Sequence, residues 1–200
     1  MRGIRYFLKG NRVRTPEIAF RPSKTELAAA VHRTVPDLIA PGLSLLFVGI
    51  NPGLYSAATG HHFARPGNRF WPALHAAGFT PHLVKPWDEK VLLDYGIGIT
   101  NLAKRATVAA DELSSEELRK GQRRLARKVT RFRPRVVAVV GIGAYRIAFG
   151  RPKASIGLQP ERLGTAALWV LPNPSGLNAN HQLPDLVKAF RSLRSFVTKA

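Results

Sequence analysis

Apolar residues gather into four short runs along the chain, each closed by glycine, proline or asparagine. The first, Leu45 to Ile50, is nearly continuous and has the composition of a strand buried on both faces. It stops at Gly49-Ile50-Asn51-Pro52-Gly53, because Pro52 has no N–H to give a ladder and Gly53 weakens one. Three further runs read the same way: Gly96-Ile-Gly-Ile-Thr100, Arg135-Val-Val-Ala-Val-Val140 and Ala167-Leu-Trp-Val-Leu171. They end at Asn101, at Gly141 and in Pro172-Asn-Pro-Ser-Gly-Leu-Asn178 respectively.

Helical signals alternate with these runs. Ser23-Lys-Thr-Glu26 is a capping-box pattern that predicts a helix through Val31, stopping before Pro36, and Pro41-Gly42 is a turn into the first strand. Asn68 is placed to cap a helix from Arg69 to Ala77, closed by Gly78. Further helices are predicted from Asp88 to Tyr95, from a second capping box at Ser114-Ser-Glu-Glu117 to about Val129, after Gly141-Ile-Gly143 to about Phe149, and from Pro184 to near Val197. Four short strands alternating with helices indicate an α/β fold with a parallel sheet covered on both faces. There is no internal repeat and no clear linker after residue 41.

Charge changes this picture more than size does. Two hundred residues fit one domain, but 31 Lys plus Arg against 12 Asp plus Glu give a formal net charge of +19. Such an excess favours a polyanionic partner, nucleic acid first and an anionic membrane second, unless it is merely a solubilising surface. Residues 1 to 22 carry Arg2, Arg5, Lys9, Arg12, Arg14 and Arg21 and bury little, either as a phosphate-contacting arm or as a frayed terminus. Arg119, Lys120, Arg123, Arg124, Arg127 and Lys128 spread over successive turns of one helix, as a solvated face or a nucleic-acid contact. With no cysteine, disulfides, thiolate metal sites and thiol nucleophiles are excluded. No apolar run approaches the ~20 residues of a membrane helix, and no signal peptide is evident, so a cytoplasmic, nucleoid-associated setting is expected.

The candidate chemistry sits at the strand ends. In a parallel sheet these share one edge, so Asn51, Asn101 and the Pro-Asn-Pro-Ser-Gly segment either border one cleft or are independent turns. Gly141-x-Gly143 has Arg146 where a dinucleotide fingerprint needs its third glycine, and reads better as a strand-to-helix turn than as a cofactor site. His61-His62 has no metal-ligand spacing around it, and no nucleophile elbow or phosphate loop is present. What remains is amides, backbone groups and aromatic rings. That inventory suits dissociative cleavage of a pyrimidine N-glycosidic bond, which needs a held water, N–H donors for the departing base and an aromatic to sandwich it. Asn51 could hold the water, N–H groups around Ile50 and Phe63 could serve the base, and the Phe63 ring could stack on it. A duplex hides its bases, so a wedge is also required, and Leu177, an apolar side chain on a loop with no evident core duty, either serves as that wedge or packs back onto the last helix.

Gly49-Ile-Asn-Pro-Gly53, Gly60-His-His-Phe63, Pro66-Gly-Asn-Arg-Phe-Trp71, Gly98-Ile-Thr-Asn101 and Leu171-Pro-Asn-Pro-Ser-Gly-Leu177 resemble the mismatch-specific uracil-DNA and thymine-DNA glycosylases, from about Pro41 to Val197. The resemblance implies a three-layer α/β/α sandwich with a central four-stranded parallel sheet, residues 41–200 forming the glycosylase domain and 1–40 a basic, partly flexible extension. It implies a monomer that removes uracil, with thymine or cytosine adducts as further candidates, opposite guanine in double-stranded DNA, without metal or cofactor. Asn51 falls on the family's water-positioning asparagine, Asn101 on an assisting asparagine, and Phe63 on the base-stacking aromatic, with Ile50, Gly53 and Tyr55 beside the base. Ser175, Gly176, Leu177, Asn178 and Gln182 fall on the loop that fills the gap and reads the opposite strand. Ala179 stands where relatives carry arginine, which bears on guanine reading. A non-catalytic nucleic-acid-binding module on the same fold is the main alternative.

Overall fold

The computed structural model describes residues 21–176 and 180–199. The expected arm over residues 1–22 therefore falls almost wholly outside the described residues. The apolar runs form β1 (Leu45–Gly49), β2 (Ile97–Asn101) and β3 (Val136–Val140), a further strand β4 covers Gly157–Leu163, and the last run forms β5 (Ala166–Leu171). The sheet order is β2-β1-β3-β5-β4, with β2, β1, β3 and β5 parallel and β4 antiparallel to β5.

The expected four-stranded parallel sheet is present, and β4 corrects the count to five. This strand escaped the hydrophobic pattern for a physical reason. Gly157-Leu-Gln-Pro-Glu-Arg-Leu163 has no clean alternation and carries Pro160, which only an edge strand tolerates. Its pairing with β5 slips between Leu158 and Arg162.

The helices are α1 (Lys24–Ala28), α2 (Leu54–Thr59), α3 (Phe70–Ala76), α4 (Ser115–Phe132), α5 (Ile142–Phe149) and α6 (Leu183–Lys199). Both capping boxes form, at Ser23 with Glu26 and at Ser114 with Glu117. Two helical expectations change. The segment expected to run through Val31 leaves helical geometry after Ala28, and the expected helix over Asp88 to Tyr95 is a 3-10 run spanning Pro86–Tyr95.

Residues of β1 alternate between two cores. Leu45 and Phe47 pack with Phe70, Trp71, Leu92 and Phe190 from α3, the 3-10 run and α6. Leu46 and Val48 pack with Leu118, Leu125, Val129 and Tyr145 from α4 and α5. Helices thus cover both faces of the sheet, which is the α/β/α layering. At the β2 margin Leu38 pairs antiparallel with Ile99, through N–H to O distances of 2.9 and 2.8 Å. Next to it, Asp37 accepts from the Thr100 hydroxyl at 2.6 Å and pairs with Lys128 at 2.6 Å.

The chain leaves β1 for β2 on one side and returns to β3 on the other. That reversal opens a crevice outside the carboxyl ends of β1 and β3, where open α/β sheets bind ligands.

Candidate active site

A cleft of about 560 Å³ lies at this edge. It is lined by residues from the ends of four strands: Asn51 after β1, Asn101 on β2, Gly141 after β3 and Asn173 after β5. The polar strand ends therefore border one hollow rather than forming separate turns. The Gly141 turn caps α5, as the sequence indicated, and is also a wall of the cleft.

Asn51 is held by its amide nitrogen. Nδ2 donates to the Thr107 hydroxyl at 2.7 Å and to the Arg105 carbonyl at 3.2 Å. Thr107 donates its own proton to the Ala109 carbonyl at 2.6 Å, so its oxygen can only accept from Asn51. Both amide hydrogens are thereby engaged, and Oδ1 is the atom the side chain has left to offer. The strap that does this, residues 105–109, is fixed at each end. Thr107 N–H reaches the Pro52 carbonyl at 3.3 Å. The Arg105 guanidinium grips Glu117 through two bonds, at 2.6 and 3.1 Å, and adds the Glu112 carbonyl at 3.0 Å. That bidentate contact, with the Ser114 backbone N–H, holds the Glu117 carboxyl down to about 2.

Phe63 lines the cleft from the loop after α2. Its ring stacks on Phe70 with centroids 4.0 Å apart and an interplanar angle of 15°, so a core aromatic backs it. Beneath it Gly49 leaves the space these side chains use: an added Cβ would lie 2.4 Å from Asn101 Oδ1 and 3.4 Å from Phe63 Cζ, so the Asn101 amide would have to move. Asn101 and Phe63 thus converge over the last residue of β1. Phe63 has a φ of 51°, a conformation that costs a non-glycine residue on the order of 1–3 kcal/mol and persists only when neighbours enforce it. They do: Ala64 N–H donates to Ser56 Oγ at 3.1 Å, Trp71 Nε1 donates to the His62 carbonyl at 3.2 Å, and His62 N–H donates to Glu89 at 2.9 Å.

His62 and Glu89 were not identifiable as a pair from the sequence. Glu89 is buried, and its Oε2 lies 3.0 Å from His62 Nδ1 while Oε1 lies 3.4 Å from His61 Nδ1. Burial pushes the Glu89 carboxyl up, but the ring and backbone hydrogen bonds from His62, with the charge of that ring and the His61 bond, outweigh it and leave it below its ordinary value. An ionised carboxylate only accepts, so His62 Nδ1 carries a proton. Nε2 of this cleft-lining ring is buried without a partner among the described residues. Among the described residues no group of three or more His, Asp or Glu side chains is placed to hold a metal ion.

The other expected site residues divide. Ile50, Gly53 and Ser175 line the cleft with Asn51, Phe63 and Asn101. Tyr55, expected beside the base, does not line it: α2 carries it away, and its carbonyl accepts from Thr59. Gly176 packs on the Gly67 carbonyl and Gln182 Oε1 accepts from the Arg69 guanidinium at 3.2 Å; neither lines the cleft. Leu177 and Asn178, and with them Ala179, lie outside the described residues. Arg69 braces the start of that loop, through its N–H to the Pro174 carbonyl at 3.0 Å and its guanidinium to the Ser175 carbonyl, and its far end through Gln182.

The order of motifs along the chain has a counterpart in a known family. The family model of the uracil DNA glycosylase superfamily matches residues 36–194. The chain belongs to that superfamily. Its general activity is accordingly hydrolytic, a DNA glycosylase acting on uracil, with DNA as the partner. Among the described residues no helix is long and apolar enough to cross a membrane.

Proposed function

We propose that the chain is a monofunctional glycosylase that releases uracil, and more slowly thymine or cytosine adducts, from mispairs with guanine in duplex DNA. The observation that carries this reading is the Asn51 amide, whose hydrogens are both held by the strap while its oxygen remains available in the same cleft as the Phe63 ring.

The reaction follows from that arrangement. An extruded nucleotide places its base against Phe63, which Phe70 keeps from yielding. The C1′–N1 bond breaks with its electron pair leaving on the base, and main-chain N–H groups around Ile50 and Phe63 receive the developing charge. A water whose proton is held by Asn51 Oδ1 adds its oxygen to the cationic C1′ and releases one proton to solvent, while the base departs as its anion, giving an abasic site and the free base. Asn51 supplies orientation rather than proton abstraction, which suffices for a dissociative step. We assign Asn101, whose Oδ1 lies over Gly49 as the Phe63 ring does, to the base edge. No lysine lines the cleft among the described residues, which supports hydrolysis without a Schiff base. The gap left in the duplex is assigned to Leu177, and opposite-strand reading to the neighbouring Ser175–Asn178 segment.

Asn51→Ala tests this. Under single-turnover conditions on a G·U duplex, alkali-labile sites should form on the order of 100-fold more slowly or worse, while affinity for the duplex is retained. Cleavage at a near-normal rate would remove Asn51 from the mechanism.

A further inference from the structure

Residues 23–33 precede the stretch matched by the family model, and none of them lines the cleft. We propose that they are a buttress that sets the aim of the Asn51 amide. The inference rests on the reading of Asn51 as the water holder.

The Ser23 capping box starts α1, and after it the chain reverses at His32, a non-glycine residue with a φ of 66°. The reversal brings the Arg33 carbonyl onto Ala106 N–H at 2.9 Å, and His32 N–H onto the Ala106 carbonyl at 3.5 Å. Both main-chain groups of Ala106 therefore bond to this segment. Ala106 is flanked by Arg105, whose carbonyl accepts from Asn51, and by Thr107, whose hydroxyl does the same. On its other side the segment buries Ala30 completely against Ala57 of α2 and against Ala106, with Leu54 and Ala58 around them.

One seam of three alanines thus joins the two backbone stretches that bracket the Asn51 amide: the helix that follows it and the strap that holds it. Three small side chains let the backbones approach closely, and interiors packed to this density do not absorb extra volume without moving a neighbour. Displacing Ala106 displaces both acceptors of Nδ2 together. Two residues further on, Val35 reaches the cleft itself. Residues 30–33 are positioning residues; they touch neither substrate nor water.

The test is Ala30→Leu in the full chain, with Ala30→Gly as the conservative control. Four quantities are read: single-turnover rate on a G·U duplex, affinity for an abasic duplex, melting temperature, and the side-chain amide resonances of Asn51, assigned by their loss in Asn51→Ala. Ala30→Leu should remain folded and bind DNA as the wild type does, yet cleave about 10- to 100-fold more slowly, with the Asn51 resonances shifted. Ala30→Gly should match the wild type in rate and resonances. If Ala30→Leu does not fold, Ala30→Val adds less volume and is judged by the same readouts. A folded Ala30→Leu or Ala30→Val variant with unmoved Asn51 resonances, or with a rate within about twofold of wild type, overturns the buttress. A wild-type chain that releases no base overturns the functional reading instead, while the resonances still judge the buttress.

Discussion

Glu89 has the environment of a residue that the protein cannot easily do without. Its carboxylate accepts from the His62 backbone and faces both histidine rings, and so it shapes the loop that presents Phe63 in a left-handed conformation. Replacing it with glutamine keeps the size but removes the charge. Glu89→Gln should cost about 1–3 kcal/mol at neutral pH, read by urea denaturation. The sign of the pH dependence is set by the lowered carboxyl: the wild-type advantage is complete above the ordinary value of 4.5 and fades as pH falls through the lower folded value. A stability gap between the two proteins that stays constant through the acid range would show that the carboxylate is not favoured by its neighbours. At this scale the sequence was legible only in part. Asn51 and Phe63 stand out because a buried strand ends abruptly and a glycine-rich loop with an aromatic follows. Thr107 and Glu89 carry no local signal, since their roles arise from partners 56 and 27 residues away along the chain.

Among the elements, α4 supports the site without lining the cleft. Gly121 faces the exit of β2 so tightly that an added Cβ would lie 2.4 Å from the Leu102 carbonyl oxygen and 2.8 Å from its carbon. Arg124 donates to the same carbonyl at 3.1 Å, and Leu102 N–H donates to the Gly49 carbonyl at 2.9 Å. The helix thus sits directly on the backbone that follows Asn101. Gly121→Ala would improve helix propensity, yet it should destabilise the protein by about 1–3 kcal/mol because backbone rather than a flexible side chain must give way. Thermal and urea melts would measure it, and a stabilised variant would contradict the close approach. The cations of this helix, read as either a solvated face or a nucleic-acid contact, are partly engaged within the protein: Lys128 pairs with Asp37 and Lys120 with Glu116. The strands were readable for the opposite reason to β4. A strand buried on both faces must be apolar throughout, whereas an edge strand has no such obligation.

For the whole molecule, the +19 charge and superfamily membership point to the same partner. Binding to duplex DNA should weaken steeply with salt, with a log–log slope of about −0.9 for each phosphate neutralised. Measured affinities that barely change between low and physiological salt would mean that the cations face solvent for solubility alone. The layered architecture was inferable because strand and helix signals alternate regularly, and because every expected parallel strand ended in turn residues that now meet at one edge. The two sheet margins were harder to read: nothing in residues 35–40 marks a border, and in 157–163 the one edge signal, Pro160, stands in a run with no strand-like alternation.

Those margins have a consequence for the protein's behaviour in concentrated solution. One side is closed by the Leu38 pairing, and the other ends in a strand with a register slip and a proline that can donate nothing. A neighbouring copy arriving there finds no straight row of vacant donors and acceptors to copy. Strand-by-strand addition at these margins is therefore disfavoured in the folded state, and partial unfolding that frees a straight edge should raise the tendency to aggregate.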